Sequence, residues 1–254
     1  MWYDAWTPLR LLLRLLLIPL LLLALVPTLL SINRVGRKIR VGRISLEEFM
    51  IAHWSRWLCR VFGVRVQASG EVLPGPVLIV ANHVSWLDIQ VLHSVTTMSF
   101  VGKAEIRRWP VLGFIARAGG TIFIERGNHA SSADVSAALV QRLNEGNRVA
   151  VFAEGGIRPG DGVKVFHARL FKAAVEADCM VQPAMIRYLR NGRRDPDMSF
   201  IRGENLVVNM LRLLGRPTCD ADLRFLDAFP PGDRPRRDLA RQAQMAVNEA
   251  YHAD

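Results

Sequence analysis

The first polar–apolar feature of the chain is an 18-position run without a charge, LLLIPLLLLALVPTLLSI from Leu15 to Ile32. A run of that length and apolarity predicts a helix just long enough to cross the hydrocarbon core of a bilayer. Pro19 and Pro27 would kink it. Arg10 and Arg14 precede it, and Trp2, Tyr3 and Trp6 suit a headgroup interface. Arg34, Arg37, Lys38, Arg40 and Arg43 follow it, a cluster matched to anionic headgroups. Spanning and re-entrant arrangements both stay open, and the two prolines with basic residues on both flanks fit a re-entrant hairpin. A secretory signal is disfavoured because no small-x-small cleavage site follows. A second stretch, Leu46 to Val66, mixes Trp54, Trp57, Leu58 and Phe62 with Arg56 and Arg60, and predicts an amphipathic helix lying in the interface. Residues 1–65 are therefore read as membrane-anchoring helices and residues 66–254 as a separate domain.

From about residue 70 short apolar runs alternate with longer mixed segments. The predicted strands are 76–81, 98–101, 121–124, 148–152, 180–186 and 222–226; the predicted helices are 86–95, 109–118, 130–145 and 166–178. Strands alternating with helices imply an α/β domain, a mostly parallel sheet flanked by helices. Arg190–Pro196 reads as a surface loop, and the chain from Pro230 as a helical tail.

Composition narrows the partners. The chain has 254 residues and a formal net charge of +10, which suits an anionic partner. The leucine-rich N-terminus and the lack of a nucleic-acid motif turn that partner away from nucleic acid and toward a membrane or an acidic substrate. Cys59, Cys179 and Cys219 are odd in number and widely spaced, which predicts buried thiols rather than a disulfide framework or a zinc ribbon. No metal-ligand cluster and no Gly-Lys-Ser/Thr phosphate loop is present, so no metal or cofactor is expected.

Polar constellations follow three of the predicted strands: His83 and Asp88 after VLIVA, Arg126 after TIFI, and Glu154 after RVAVF. Ligands in open α/β sheets bind beyond the carboxyl ends of the strands, so these residues are expected around one crevice. In Asn82-His83-Val84-Ser85-Trp86-Leu87-Asp88 the carboxylate can fold back onto the imidazole, the arrangement by which an Asp orients a general-base His. Taken alone, the same residues also fit a helix capped by Asn82 or Ser85 with an incidental histidine.

Four blocks in order decide between these readings. NHVSWLD (82–88), GTIFIER (120–126), FAEGGIR (152–158) and VQPAMIRY (181–188) resemble the motifs of the glycerolipid acyltransferase family, typified by bacterial 1-acyl-glycerol-3-phosphate acyltransferases. The resemblance covers about residues 50–190. It implies that His83 is the general base and Asp88 its partner. It implies too that Arg126 binds the acceptor's phosphate, which a guanidinium can meet bidentately. Glu154 and Gly155 stand where the family's acceptor-binding pair stands, and Lys103 and Arg107 would add positive charge nearby. The third block departs from the pattern: Ala153 replaces a proline, Gly156 a threonine, and Arg158 falls one place later than the arginine of some members. No nucleophilic serine is needed, since the acceptor hydroxyl attacks the thioester directly, and no G-x-S-x-G elbow is present.

The implied activity is transfer of a fatty acyl group from acyl-CoA or acyl carrier protein to a lysophospholipid hydroxyl. The acceptor implied first is 1-acyl-sn-glycerol-3-phosphate, giving phosphatidic acid; lyso-ornithine lipid or another lysolipid is the alternative. A phospholipid-donor transacylase and a non-catalytic, membrane-anchored lipid-binding protein are competing readings. The implied location is a bacterial inner membrane, among membrane phospholipids, with the catalytic domain on the cytoplasmic side.

Overall fold

The computed structural model describes residues 4–108, 113, 116, 117, 120–124, 129–157, 162–201 and 203–253. The leucine run forms one helix, α1 (Thr7–Ser31), which continues through Pro19 and Pro27. It is long and apolar enough to cross a membrane, and only 11% of its apolar window is buried. A short helix α2 (Arg34–Lys38), capped by the Asn33 side chain, leads to a two-stranded hairpin, β1 (Arg40–Val41) and β2 (Ile44–Ser45). Helix α3 (Leu46–Val61) then opens with a capping box: Ser45 Oγ accepts from the Glu48 amide at 3.1 Å, and Glu48 accepts from the Ser45 amide at 3.2 Å.

The helix expected to reach Val66 ends earlier. Gly63 takes φ +74°, a left-handed conformation that stops a helix at little cost for glycine. The alternating VRVQAS that follows is a strand, β3 (Val64–Ser69). The remaining elements are β4 (Val77–Ala81), α4 (Asp88–His93), β5 (Ser99–Lys103), β6 (Ile122–Ile124), α5 (His129–Asn144), β7 (Arg148–Phe152), α6 (Lys172–Glu176), β8 (Met180–Arg190), β9 (Arg193–Arg194), α7 (Leu206–Gly215), β10 (Cys219–Phe225) and α8 (Arg236–His252). The helix expected over 166–178 is a 3-10 turn, Ala168–Phe171, running into α6. The expected loop at 190–196 is a tight hairpin, with Asn191 and Gly192 at positive φ and β9 folding back on β8. Most of the helix expected at 109–118 lies outside the described residues.

The large sheet runs β3-β10-β8-β4-β7-β5-β6, with β9 on β8. Its neighbours pair in parallel except β8 with β10 and with β9. Residues alternate between two cores because side chains along a strand point to opposite faces. Val77, Ile79 and Ala81 of β4 and Ala184, Ile186 and Tyr188 of β8 join α1, α3, α4 and α7 on one face. Leu78 and Val80, with Val181 and Met185, join α5, α6 and α8 on the other. β4 is buried on both faces, as a central parallel strand must be.

Candidate active site

β4, β7, β5 and β6 are parallel neighbours, so their carboxyl ends share one edge of the sheet. That edge carries His83 after β4, Glu154 after β7 and Lys103 at the end of β5, where Lys103 pairs with Ile124 of β6. Arg126 comes two residues beyond Ile124 and, with Arg158, lies outside the described residues. The strand order thus lines up three of the sequence-predicted positions among the described residues, although the strands are not in chain order.

Asn82 extends the β4–β8 pairing by one side chain. Its Nδ2 donates to the Ile186 carbonyl and its Oδ1 accepts from the Ile186 amide, both at 2.8 Å. The chain then turns, and Asp88, the first residue of α4, points back into the turn. His83 Nδ1 lies 2.8 Å from Asp88 Oδ2, which also accepts from the amides of Val84 (2.7 Å) and Ser85 (3.0 Å). The Tyr188 hydroxyl donates to Asp88 Oδ1 at 2.7 Å. Asp88 is fully buried, and the His83 side chain keeps 13% of its surface exposed. A carboxylate only accepts, so the Nδ1 contact places the proton on Nδ1 and leaves Nε2 as the basic nitrogen. The imidazole also stacks on Phe152, with ring centroids 3.8 Å apart and planes 9° apart. Ring orientation is therefore fixed by one hydrogen bond and one aromatic face.

Glu154 engages two backbone amides. Its Oε2 accepts from the His83 amide at 2.8 Å and its Oε1 from the Lys164 amide at 2.7 Å. The group is buried, which pushes its carboxyl above the ordinary range despite these two donors. In this arrangement it straps the His83 turn to the segment before Phe166. Gly155 has φ +74°, and a Cβ there would come within 2.8 Å of the His167 ring, so both backbone and space favour glycine. His167 itself is exposed and rests against Gly155.

The three thiols are buried and free. Burial pushes Cys59 and Cys219 up to about 12 and Cys179 up to about 11, so all three remain protonated at neutral pH. Among the described residues no three His, Cys, Asp or Glu side chains group as metal ligands. Sequence reasoning missed Tyr188 as part of the site. Its signal was the alternation in VQPAMIRY, which places positions 184, 186 and 188 on one face.

Comparison with known proteins places this geometry. The acyltransferase family model matches residues 64–187. A lyso-ornithine lipid O-acyltransferase of Pseudomonas aeruginosa is 37% identical over 205 residues, 81% of this chain and 79% of that one. The chain belongs to the acyltransferase family. It is an O-acyltransferase, and the His83 turn just described lies inside the matched region. A 1-acyl-sn-glycerol-3-phosphate acyltransferase of Neisseria meningitidis is 34% identical over 158 residues, 62% of this chain and 58% of that one. The crystal structure of the 1-acyl-sn-glycerophosphate acyltransferase PlsC from Thermotoga maritima superposes with a TM-score of 0.72 at 19% identity. That match covers 96% of this chain and 94% of that one, and it bears out the α/β fold with its mostly parallel sheet.

Proposed function

We propose that the enzyme acylates the free hydroxyl of a lyso-ornithine lipid at a membrane surface, with His83 as general base and Asp88 as its anchor. The observation that carries the chemistry is the His83–Asp88 contact, with Nδ1 engaged and Nε2 left basic. His83 Nε2 takes the proton from the acceptor hydroxyl as that oxygen attacks the thioester carbonyl of acyl-CoA or acyl carrier protein. The tetrahedral intermediate collapses, the C–S bond breaks, and the departing sulfur takes the proton back from the imidazolium. General-base assistance of this kind is worth about 10²–10⁴-fold. Arg126, Arg158 and Lys103 remain the candidates for the acceptor's anionic group, a carboxylate in an ornithine headgroup or a phosphate in lysophosphatidate. Acceptor choice follows the relatives: the lyso-ornithine lipid enzyme of Pseudomonas aeruginosa, and that of Brucella abortus at 33% identity over 76% of this chain, align over more of the chain than the Neisseria enzyme does. Lysophosphatidate is the second reading, supported by that Neisseria match.

The membrane approach rests on two helices. The outward face of α1 carries exposed Leu9, Leu13, Leu16, Leu20, Leu23 and Leu30. Beside it, α7 exposes Val207, Val208 and Leu211. Arg14 of α1 donates to the carbonyls of Leu214 (3.0 Å) and Arg216 (2.8 Å), and Arg10 to that of Gly215 (3.1 Å). Two cations thus meet the carbonyl end of α7, where the helix dipole is negative. Trp86, in the His83 turn, donates to Asn209 of α7 at 3.0 Å. The apolar face is thereby joined to the catalytic turn by direct hydrogen bonds, and a lysolipid in the same bilayer reaches Nε2 without leaving the interface. We place this bilayer as a bacterial inner membrane with the catalytic edge on its cytoplasmic side, where acyl thioesters are made.

Direct competition tests the acceptor. Labelled acyl-CoA and acyl carrier protein are offered with equimolar lyso-ornithine lipid and lysophosphatidate. A kcat/KM for lyso-ornithine lipid at least tenfold higher supports the first reading. The reverse preference establishes the second.

A further inference from the structure

The carboxylate that anchors His83 is held from behind by the central sheet. We propose that Tyr188 is a positioning residue of the acyl-transfer site, whose buried hydroxyl fixes Asp88 and sets how strongly that carboxylate holds the His83 proton. The inference rests on the reading of His83 as the base.

Register places Tyr188 there. The Asn82 carboxamide clamps both backbone groups of Ile186, so β8 cannot slide against β4 without breaking two 2.8 Å bonds. Two residues on, a strand returns to the same face, and the Tyr188 hydroxyl meets Asp88 Oδ1 at 2.7 Å. Tyr188 is 2% exposed and Asp88 is fully buried, so no bulk water competes for either. Burial and the neighbouring carboxylate both hold the phenol well above its ordinary range. Tyr188 therefore keeps its proton and acts as a donor throughout the working pH range.

Chemistry gives the contact its consequence. Asp88 Oδ2 already serves His83 and two amides, whereas Tyr188 serves Oδ1. An O–H donor draws negative charge toward Oδ1, so less remains to hold an imidazolium at Oδ2. Three further titratable groups act on this pair among the described residues. Cys59 of α3 and Cys219 of β10 stay neutral, each pushed up to about 12. Glu154, from the turn after β7, spends its oxygens on the His83 and Lys164 amides. Tyr188 is thus the side chain placed to modulate Asp88 without touching substrate.

The test is the pH profile of kcat/KM in Tyr188→Phe, joined to an NMR titration of the His83 imidazole in detergent micelles. Removal of the donor moves the acidic limb up by about half a unit, where one unit is a tenfold change in the proton equilibrium. It lowers kcat about tenfold, the equivalent of 1.36 kcal/mol, and leaves the acceptor KM unchanged. A fluorotyrosine installed at position 188, a stronger donor of nearly the same shape, moves the limb and the imidazole titration the other way; it decides the matter alone if Tyr188→Phe does not fold. Superimposable profiles and titrations, or a change confined to KM, overturn the proposal. Transfer retained by His83→Ala defeats the base reading and with it any catalytic role for Tyr188, while the imidazole titration still reports separately whether Tyr188 governs His83.

Discussion

Asp88 accepts four hydrogen bonds, three on Oδ2 and one on Oδ1, and each donor comes from a different residue. Such a carboxylate has one orientation, and the ring it holds has one free nitrogen. Glu154 performs the complementary task on the backbone, since its two oxygens bridge the His83 and Lys164 amides. Glu154→Gln keeps the shape but turns one acceptor into a donor, so an N–H faces an N–H in a buried place. A lost buried hydrogen bond of this type costs about 1–3 kcal/mol. We therefore expect the variant to melt several degrees lower and kcat to fall roughly ten- to a hundredfold, by thermal unfolding and steady-state assay. Unchanged stability with a raised acceptor KM would instead assign Glu154 to substrate. The four motif blocks made the His–Asp pair legible in the sequence. Tyr188 was not, because its partner is 100 positions away and only the β4–β8 register brings them together.

At the scale of elements, α1 and α7 carry the membrane reading. The native cysteines are buried, so a single cysteine placed at exposed Val208 accepts an environment-sensitive fluorophore selectively. In vesicles the label at Val208→Cys should be quenched by spin-labelled lipid, as should one at Leu16→Cys. A label at Val175→Cys, exposed on α6 in the opposite layer, should not be. Quenching of the Val208 label by aqueous iodide alone would contradict a lipid-facing α7. The sequence announced α1 through its length and leucine content, but α7 was not read from it. LVVNMLRLLG is a short apolar run, and at ten residues periodicity does not separate a helix from a buried strand. β3 escaped for a related reason: VRVQAS follows an amphipathic helix directly, with Gly63 as the sole punctuation. Strand identity was legible elsewhere because β-branched runs such as VLIVA and RVAVF are bounded by polar turns, yet their spatial order depends on long-range pairing that no local pattern encodes.

The described residues form a large sheet between two helical layers with a small hairpin beside it, and the acid response follows from groups in different parts of that frame. His93 is half-buried, its ring edge-on to Phe100 and its Nδ1 shut off from solvent, and this desolvation lowers it to about 4 from an ordinary 6.5. The unfolded chain binds that proton first, so stability is fully present above pH 6.5 and is lost as pH falls toward 4. Glu204 is held at about 2, below an ordinary 4.5, chiefly by the Arg212 guanidinium, which it meets at 2.7 Å. Its contribution is present above pH 4.5 and is lost as pH falls toward 2. Thermal melts across pH should show both windows; His93→Leu flattens the upper one and Glu204→Gln the lower. A melt profile that neither substitution alters would show that the two groups are not set apart by the fold.

The central claim is that a lysolipid O-acyltransferase works here through His83 Nε2. Its most direct test is transfer of labelled acyl groups to detergent-dispersed lysolipid by wild type and by His83→Ala, with folding of both checked by circular dichroism. The account predicts product from wild type and a loss of about 10²–10⁴-fold or more in the folded variant. Undiminished transfer by a folded His83→Ala enzyme would contradict it.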